Sequence, residues 1–240
     1  MKKAIVIIIL GLLWSNVGFA EVIIKIPVHV HILEIDEKGF KTKTEPSHVE
    51  IDFQKANEIW AQANIFWDLK KIDYVPADTT DFKSRMKWLN KNYKKGDKDQ
   101  HIRNRSKAVY KELVQTEKHQ KEGVIDVYYL PVYPIITGCG VAFIFNKPFP
   151  RKEFVIIGHE TNPKLKSKGF TCPKEREIIL AHELGHLLYL THDWKEESLM
   201  FGIPPGKKRK NKGVYGTEIP KYAAKNAKEN YHKHLKRFLD

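Results

Sequence analysis

The most strongly patterned segment of the chain is Thr171-Cys-Pro-Lys-Glu-Arg-Glu-Ile-Ile-Leu-Ala-His-Glu-Leu-Gly-His-Leu-Leu-Tyr-Leu-Thr-His-Asp193. Its pattern predicts a helix that begins near Pro173, because proline suits the first helical turn, where an N–H group would have no partner. The apolar residues of the segment cover more than one stripe of the helix. They are Ile178, Ile179, Ala181, Leu184, Leu187 and Leu188. We therefore expect this helix to be buried.

Two histidines stand four positions apart in this helix. His182 and His186 leave the same face one turn apart, which is a spacing that suits a zinc ion. Glu183 is rotated by about 100° from His182, so it lies off the ligand face but can reach a water on the metal. Zinc lowers the pKa of bound water to about 7, and a neighbouring carboxylate can pass the released proton to a leaving amine. The motif predicts one catalytic Zn²⁺ ion and amide hydrolysis.

A third histidine and a methionine extend this motif. With His192 six residues after His186, and Met200 in the run Ser198-Leu-Met, the chain resembles the metzincin zinc endopeptidases. The ending His192-Asp193 is similar to the reprolysin (adamalysin) branch, whereas the short spacing to Met200 is similar to the matrixins. The resemblance implies a general base, three zinc ligands and the methionine of the turn beneath the metal. These residues are Glu183, then His182, His186 and His192, then Met200.

One residue departs from the family pattern, which has Gly where this chain has Tyr189. The glycine allows a sharp turn with positive φ, and a bulky residue in that conformation costs about 1–2 kcal/mol. We expect the turn and the three-histidine site. If the helix instead continued through Tyr189, Glu196 or Glu197 would complete the site in place of His192.

The beginning of the chain has the pattern of an export signal. Lys2 and Lys3 precede an apolar run from Ala4 to Trp14, and Gly18-Phe-Ala20 offers small residues for cleavage. This run is too short to span a bilayer. We expect residues 1–20 to be a cleaved secretory signal peptide and residues 21–240 to form a single metzincin-like metallopeptidase domain. The mature protein is expected to be a secreted or periplasmic monomer without a transmembrane segment.

The chain is strongly basic, with a formal net charge of +13 that falls to +11 when Lys2 and Lys3 leave with the signal. Such a charge favours an anionic surface as a possible partner, such as lipid headgroups or acidic polymers. No nucleic-acid-binding motif is present, so we expect no nucleic-acid partner. Residues 78–123 are charged and helical in pattern, and we interpret them as a basic helical insertion.

The remaining chain predicts a sheet with helices around it. Val22 to Leu33 and Asn64 to Tyr74 have the pattern of strands, and a helical stripe runs between them from about His48 to Ala63. Such a unit needs parallel strands. Val124 to Leu130 predicts a third strand, and Thr217 caps a C-terminal helix. The predicted fold class is α+β, a metzincin-like zincin fold with a twisted, mainly parallel sheet, an antiparallel edge strand, a buried active-site helix and a C-terminal helix.

Thr137 to Phe145 predicts the antiparallel edge strand, and Phe154 to Gly158 predicts the strand before the active-site helix. Edge strands with small residues bind extended peptides by adding a strand, and they also occur as ordinary bulged edges. By this chemistry and by the family resemblance, we expect a protein or peptide substrate to contact the edge strand and an apolar pocket wall. The residues are Gly138, Gly140, Val141, Ala142 and Phe143, followed by Phe201 and Ile203.

Two further features are chemically suggestive. Cys139 and Cys172 are the only cysteines, and in an exported chain we expect them to form a disulfide between the edge strand and the start of the zinc helix. His29 and His31 lie on one face of the first strand. A second metal site is an alternative there, but no carboxylate or cysteine lies within two residues of either histidine, so a structural role is the prediction.

The predicted function is an exported zinc-dependent metalloendopeptidase that uses a zinc-activated water and a glutamate base. One alternative is a non-catalytic, zinc-stabilised binding module for anionic surfaces, and another is a zinc amidase that acts on cell-wall peptides. Glu183 favours an enzyme, because a purely binding role needs no base at that position.

Overall fold

The computed structural model describes most of the chain outside its first 21 residues. The described residues are 22–36, 41–77, 79–92, 100, 104–105, 107–114, 123–132, 140–144, 153–160, 176–193, 195–201 and 216–239. The predicted signal peptide, Gly138, Ile203 and both cysteines lie outside them. The export signal and the disulfide therefore stay predictions.

Five strands and five α-helices are described. The strands are β1 (Ile24–Glu34), β2 (Ile65–Pro76), β3 (Ile125–Val132), β4 (Gly140–Phe143) and β5 (Phe154–Glu160). The α-helices are α1 (Pro46–Trp60), α2 (Thr80–Lys91), α3 (Arg176–Leu187), α4 (Lys221–Asn230) and α5 (Lys236–Leu239). A short 3₁₀ turn, Ala61–Ala63, follows α1, and π-helical turns span Val109–Leu113 and Tyr231–Leu235.

The strands form one sheet in the order β2-β1-β3-β5-β4. All neighbouring pairs are parallel except β4 and β5, which are antiparallel. Parallel neighbours need a crossover connection, and α1 supplies it between β1 and β2. The predicted mainly parallel sheet with an antiparallel edge strand is therefore confirmed.

The main core lies between one face of the sheet and the helices α1 and α3. Alternate residues of β1 enter it, as expected for a strand whose side chains point to opposite faces. A hydrogen bond joins α1 to α3: Nε1 of the Trp60 indole donates to the backbone oxygen of Ala181 at 3.1 Å. Helix α3 is buried as predicted, with Leu180, Ala181 and Leu184 fully excluded from solvent.

A second apolar cluster covers the opposite face. Phe82 and Leu89 of α2, together with Val109 and Leu113, pack there with buried residues of the strands. The described parts of the predicted insertion, residues 78–123, are thus helical and cover this side of the sheet. Their function in the fold is to bury the second face of the sheet, to which β3 and β5 contribute the apolar residues Tyr128, Leu130, Phe154 and Ile156.

The C-terminal helix begins later than predicted. Thr217 was the predicted cap, but α4 starts at Lys221 with Pro220 at its N-cap. The backbone oxygen of Thr217 instead accepts a hydrogen bond from Gln62 Nε2 at 2.9 Å. Proline disfavours a helical conformation in the residue before it, so the helix begins only after Pro220. Among the described residues, no helix is both long and apolar enough to cross a membrane.

Candidate metal centre

Three imidazoles converge at the C-terminal half of α3. His182 and His186 project from the helix, and the chain then reverses so that His192 returns to them. The Nε2 atom of His192 lies 3.2 Å from Nε2 of His182 and 3.2 Å from Nε2 of His186. All three residues can offer a ligand atom within 4.8 Å of the others.

Backbone carbonyls orient two of these rings. Nδ1 of His182 lies 2.7 Å from the oxygen of Leu199, and Nδ1 of His186 lies 2.8 Å from the oxygen of Leu190. Since a carbonyl only accepts, each Nδ1 carries the proton and donates it. In the neutral rings the lone pairs of Nε2 then face the centre, and lone pairs this close repel unless a cation lies between them.

The protonation of the histidines agrees with a metal site. Burial, reinforced by the neighbouring His186 and His192, lowers the pKa of His182 to about 3. Burial also lowers the pKa values of His186 and His192. All three rings are therefore neutral near pH 7, which is the form that binds metals. Three neutral imidazoles, two of them with carbonyl-bound Nδ1 atoms, fit zinc, whose histidine ligands usually donate their second N–H in this way.

The end of α3 forms the turn that returns His192. Leu190 N–H donates to the oxygen of Gly185 at 3.2 Å, and Tyr189 N–H donates to the oxygen of His186 at 2.8 Å. This pair of bonds is the Schellman pattern, which requires a left-handed residue just past the helix. Tyr189 takes that position with φ 58°. The alternative ligand set, with Glu196 or Glu197 in place of His192, requires the helix to continue through Tyr189. The helix ends at Leu187, so this requirement is not met.

The side chain of Tyr189 explains why a bulky residue is tolerated there. Its hydroxyl donates to Oε1 of the buried Glu153 at 2.9 Å, and its ring lies 4.5 Å from the ring of His234. Asn230 also reaches the turn, donating from Nδ2 to the oxygen of Leu188 at 2.9 Å. These contacts come from the start of β5 and from the C-terminal helices. They offset the cost of positive φ, about 1–2 kcal/mol.

We expect Tyr189→Phe to lower the free energy of unfolding by about 1–3 kcal/mol, because the substitution removes a hydrogen bond to a buried carboxylate. The comparison is chemical denaturation of the two proteins. Tyr222→Phe is the matched control, since its hydroxyl bonds a carboxylate at a half-exposed position and should cost less. Equal stability of Tyr189→Phe and the wild type would contradict this account of the turn.

Met200 lies in the turn that follows the third histidine. It is buried, and its N–H donates to Oγ of Ser198 at 3.2 Å while its oxygen accepts from Asp193 N–H at 2.8 Å. The side chain packs directly on α3: a Cβ added at Gly185 would lie 2.5 Å from Met200 Sδ. The glycine between the two helical histidines therefore leaves room for the close approach of this methionine.

We expect Gly185→Ala to destabilise the protein by about 1–3 kcal/mol, since the new methyl group must displace the methionine sulfur. At an unhindered helical site the same change stabilises a protein by about 0.4–1 kcal/mol. The sign of the change in stability therefore shows whether Met200 packs against position 185. Thermal and denaturant unfolding measure the effect. The control is Ser84→Ala on an exposed position of α2. A gain in stability at Gly185 would show that the turn does not pack there.

Asp193, the residue after the third histidine, ties this segment to α4. Oδ2 accepts from the hydroxyl of Tyr222 at 2.8 Å, and Oδ1 accepts from Lys195 N–H at 2.9 Å. Burial alone would raise the pKa of Asp193, but hydrogen bonds from Ser198, Lys195 and Tyr222 outweigh it and lower the pKa. The carboxylate is therefore ionised near neutral pH and holds the chain on both sides of the turn.

Glu183 lies on the side of α3 that faces the edge strand. It is 8% exposed, and burial raises its pKa to about 8, against the opposing effect of a hydrogen bond from Ala142 N–H. The strand passes very close, because a Cβ added at Gly140 would lie 3.0 Å from Cγ of Glu183. A carboxyl group with a pKa near neutrality can both accept and release a proton.

The remaining candidate residues are divided between the two faces of the sheet. Ala142 packs toward the core that contains α3. Val141 and Phe143 pack on the opposite face, and Phe143 stacks on Phe154 with ring centroids 4.8 Å apart. Their side chains therefore do not line the metal centre, because alternate residues of a strand point to opposite faces. Phe201 is half-buried and forms a bridge with Asp193 beside the centre.

Three residues that support the centre were not predicted from the sequence. They are Glu153, Asn230 and His234. Each lies at least 36 positions from the residue it contacts. The family motif gives no signal for such partners, since they depend on which elements pack behind the turn.

No protein family and no curated protein matches the sequence. Among solved structures, the chain is similar to an archaemetzincin from Methanopyrus kandleri, with 11% identity over 90% of this chain and 99% of that chain and a TM-score of 0.44. It is also similar to a zinc-dependent peptidase from Methanocorpusculum labreanum, with 13% identity, coverage of 83% and 99%, and a TM-score of 0.39. At these values the likeness carries no functional assignment, which depends on the side chains of the site.

Proposed function

We propose that this chain is an exported zinc-dependent metalloendopeptidase with a metzincin-like fold. His182, His186 and His192 hold the zinc ion, and Glu183 is the general base. The observation that supports this most strongly is the convergence of three Nε2 atoms, 3.2 Å apart in two pairs, beside a buried carboxyl group. Carbonyl oxygens that bind the Nδ1 atoms of two rings leave their Nε2 lone pairs directed at one point.

The reaction divides between the metal and the protein. When bound, zinc supplies a Lewis acid that polarises the scissile carbonyl and makes water a nucleophile near pH 7. The carboxylate of Glu183 accepts a proton from the attacking water and donates it to the nitrogen of the leaving amine. Glu183 follows His182 directly in α3, and the N–H of Ala142 donates a hydrogen bond to its carboxylate.

The substrate is an extended peptide that adds to β4. This strand is the last in the described sheet, so its outer edge has no strand beside it among the described residues. Backbone groups at such an edge bind an extended chain by main-chain hydrogen bonds. Since Gly140 and Ala142 approach Glu183 directly, a peptide on this edge would pass the base and the metal ligands together.

Export and an anionic surface partner belong to the same proposal. The N-terminal pattern of two lysines, an apolar run and small residues supports secretion to the periplasm or medium. The surplus of basic residues favours contact with anionic lipid or polymer there. The buried base beside the metal ligands favours the peptidase over a non-catalytic binding module.

The proposed substrate class is tested by comparing two kinds of substrate with the purified zinc-loaded chain. One is an unstructured protein, and the other is a set of cell-wall glycan-peptide fragments. We expect cleavage of the unstructured protein at internal peptide bonds, with the fragments identified by mass spectrometry. Cleavage of the glycan-linked fragments alone would support the amidase alternative. Zinc binding without cleavage of either substrate would support the binding module.

A further inference from the structure

A second group of metal-ligating side chains lies on the other face of the sheet. His29 and His31 of β1 and Asp126 of β3 are at most 3% exposed, and each offers a ligand atom within 4.8 Å of the others. The intervening residues Val28 and Val30 point into the core shared with α3. The strand alternation therefore separates this cluster from the three-histidine centre by the thickness of the sheet.

A bulge in β2 brings a second carboxylate to the same place. The pairing of β1 with β2 shifts by one residue just before His29, with Lys70 as the extra residue. As a result Asp73 lies opposite His31. Without the bulge, Ile72 would lie opposite that histidine and Asp73 would point to the other face, because a slip of one residue reverses every side chain.

Asp73 sets the orientation and tautomer of His29. Its Oδ2 lies 2.8 Å from His29 Nε2, so the carboxylate accepts a hydrogen bond from that nitrogen. In a neutral imidazole the other nitrogen, Nδ1, then bears a lone pair. This Nδ1 lies 3.9 Å from Oδ1 of Asp126. A lone pair and a carboxylate at this distance are electrostatically unfavourable together, and a cation between them would bind both.

The distances in the cluster suit such a cation. Oδ1 of Asp126 is 2.8 Å from Nε2 of His31 and 3.9 Å from Nδ1 of His29. Two ligands on one tetrahedral zinc ion are separated by about 3.3–3.5 Å. The 2.8 Å contact is a hydrogen bond from Nε2–H of His31, so this nitrogen would release its proton when an ion enters between it and the carboxylate. Two imidazoles and one carboxylate form a donor set for divalent transition metals, and a carboxylate behind one of the histidines is the usual outer support.

The charges lead to the same conclusion. Within the described part of the chain, the only side chain that hydrogen-bonds the buried carboxylate of Asp126 is His31. Asp73 adds a second negative charge. On its more exposed side, Nζ of Lys71 lies 2.7 Å from Oδ2 of Asp73. A buried carboxylate without a compensating charge is costly, whereas a divalent ion would neutralise Asp126 and face the ring held by Asp73.

We propose that His29, His31 and Asp126 bind a second divalent transition metal ion, zinc in the first instance, and that Asp73 positions His29 for it. The ligands come from the adjacent strands β1 and β3, and the supporting carboxylate comes from β2, so the ion would join three strands. The ring of His31 stacks on the fully buried Tyr128 with centroids 4.7 Å apart, which holds one ligand rigidly. The ion is therefore structural, and its binding goes beyond the proposed peptidase reaction.

The test is the number of zinc ions bound by the purified full chain after dialysis, measured by elemental analysis. We expect two ions per wild-type chain. A variant with His182, His186 and His192 all replaced by Gln should retain one, and His29→Gln combined with Asp126→Asn should also retain one. His232→Gln, at an exposed histidine outside both clusters, is the matched control and should retain two.

Cobalt titration of the metal-free wild-type chain keeps the test independent of variants that fail to fold. Two equivalents should enter before the visible absorption saturates. Saturation at one equivalent, with that ion lost from the variant without the three histidines, would overturn the proposal, identify the cluster as a hydrogen-bond network and leave the proposed peptidase centre standing. Saturation at one equivalent, with that ion kept in the same variant, would support the second site and show that the failure lies in the proposed peptidase centre.

Discussion

Glu183→Gln is expected to lower kcat for peptide hydrolysis by about 10²–10⁴-fold while zinc stays bound and KM changes little. Glutamine keeps the size of the side chain and can still accept the hydrogen bond from Ala142 N–H. It cannot accept a proton from water. The loss therefore falls on the chemical step and leaves the metal ligands and the substrate strand intact.

The measurement is steady-state hydrolysis of a fluorogenic peptide, with zinc content determined on the same sample. Glu197→Gln is the matched control, since this glutamate is exposed and lies in the same turn region. It should retain wild-type kcat. Activity within a few-fold of wild type in Glu183→Gln would show that Glu183 is not the general base. If this variant also lost zinc, the role of Glu183 would be measured with Glu183→Asp instead.

His192→Gln is expected to abolish both stoichiometric zinc binding at the α3 centre and peptide hydrolysis. The imidazole supplies the nitrogen that approaches both helical histidines at 3.2 Å, so two ligands on one helix turn would remain. Zinc binding with two protein ligands is much weaker than with three. Elemental analysis and the peptide assay measure the two effects separately.

This experiment also tests the choice between ligand sets. Glu196→Gln and Glu197→Gln each remove a carboxylate that the alternative would use, and we expect both variants to keep zinc and activity. The reverse result, with zinc lost in either glutamate variant and kept in His192→Gln, would show that the chain uses two histidines and a carboxylate. The left-handed backbone of Tyr189, which ends the helix, is the structural reason to expect the first result.

Local periodicity was enough to place the helical part of the centre. A helix brings residues four apart to the same face, so the relation between His182 and His186 needed no tertiary information. The edge strand was also predictable, because β4 carries small residues and precedes a buried apolar strand. The sheet order that makes it an edge rests on the family resemblance as well as on the pattern.

Other features depended on contacts between distant parts of the chain. Tyrosine is tolerated at position 189 because its side chain contacts Glu153 and His234. Neither residue is close to Tyr189 in sequence or at helical spacing from it, so the pattern gives no sign of these contacts. The histidines of β1 showed no nearby carboxylate in sequence, yet strand pairing brings Asp126 and Asp73 to them. Register across a sheet is decided by the packing of both strands, so such clusters appear only once the fold is known.

Peptide hydrolysis by zinc is tested by following its rate as zinc is returned to the metal-free chain. We expect no cleavage by the metal-free protein, recovery of the full rate as the three-histidine centre fills, and no recovery in zinc-loaded Glu183→Gln. Cleavage that persists in the metal-free chain, or a zinc-loaded wild-type chain that cuts no peptide, would contradict it.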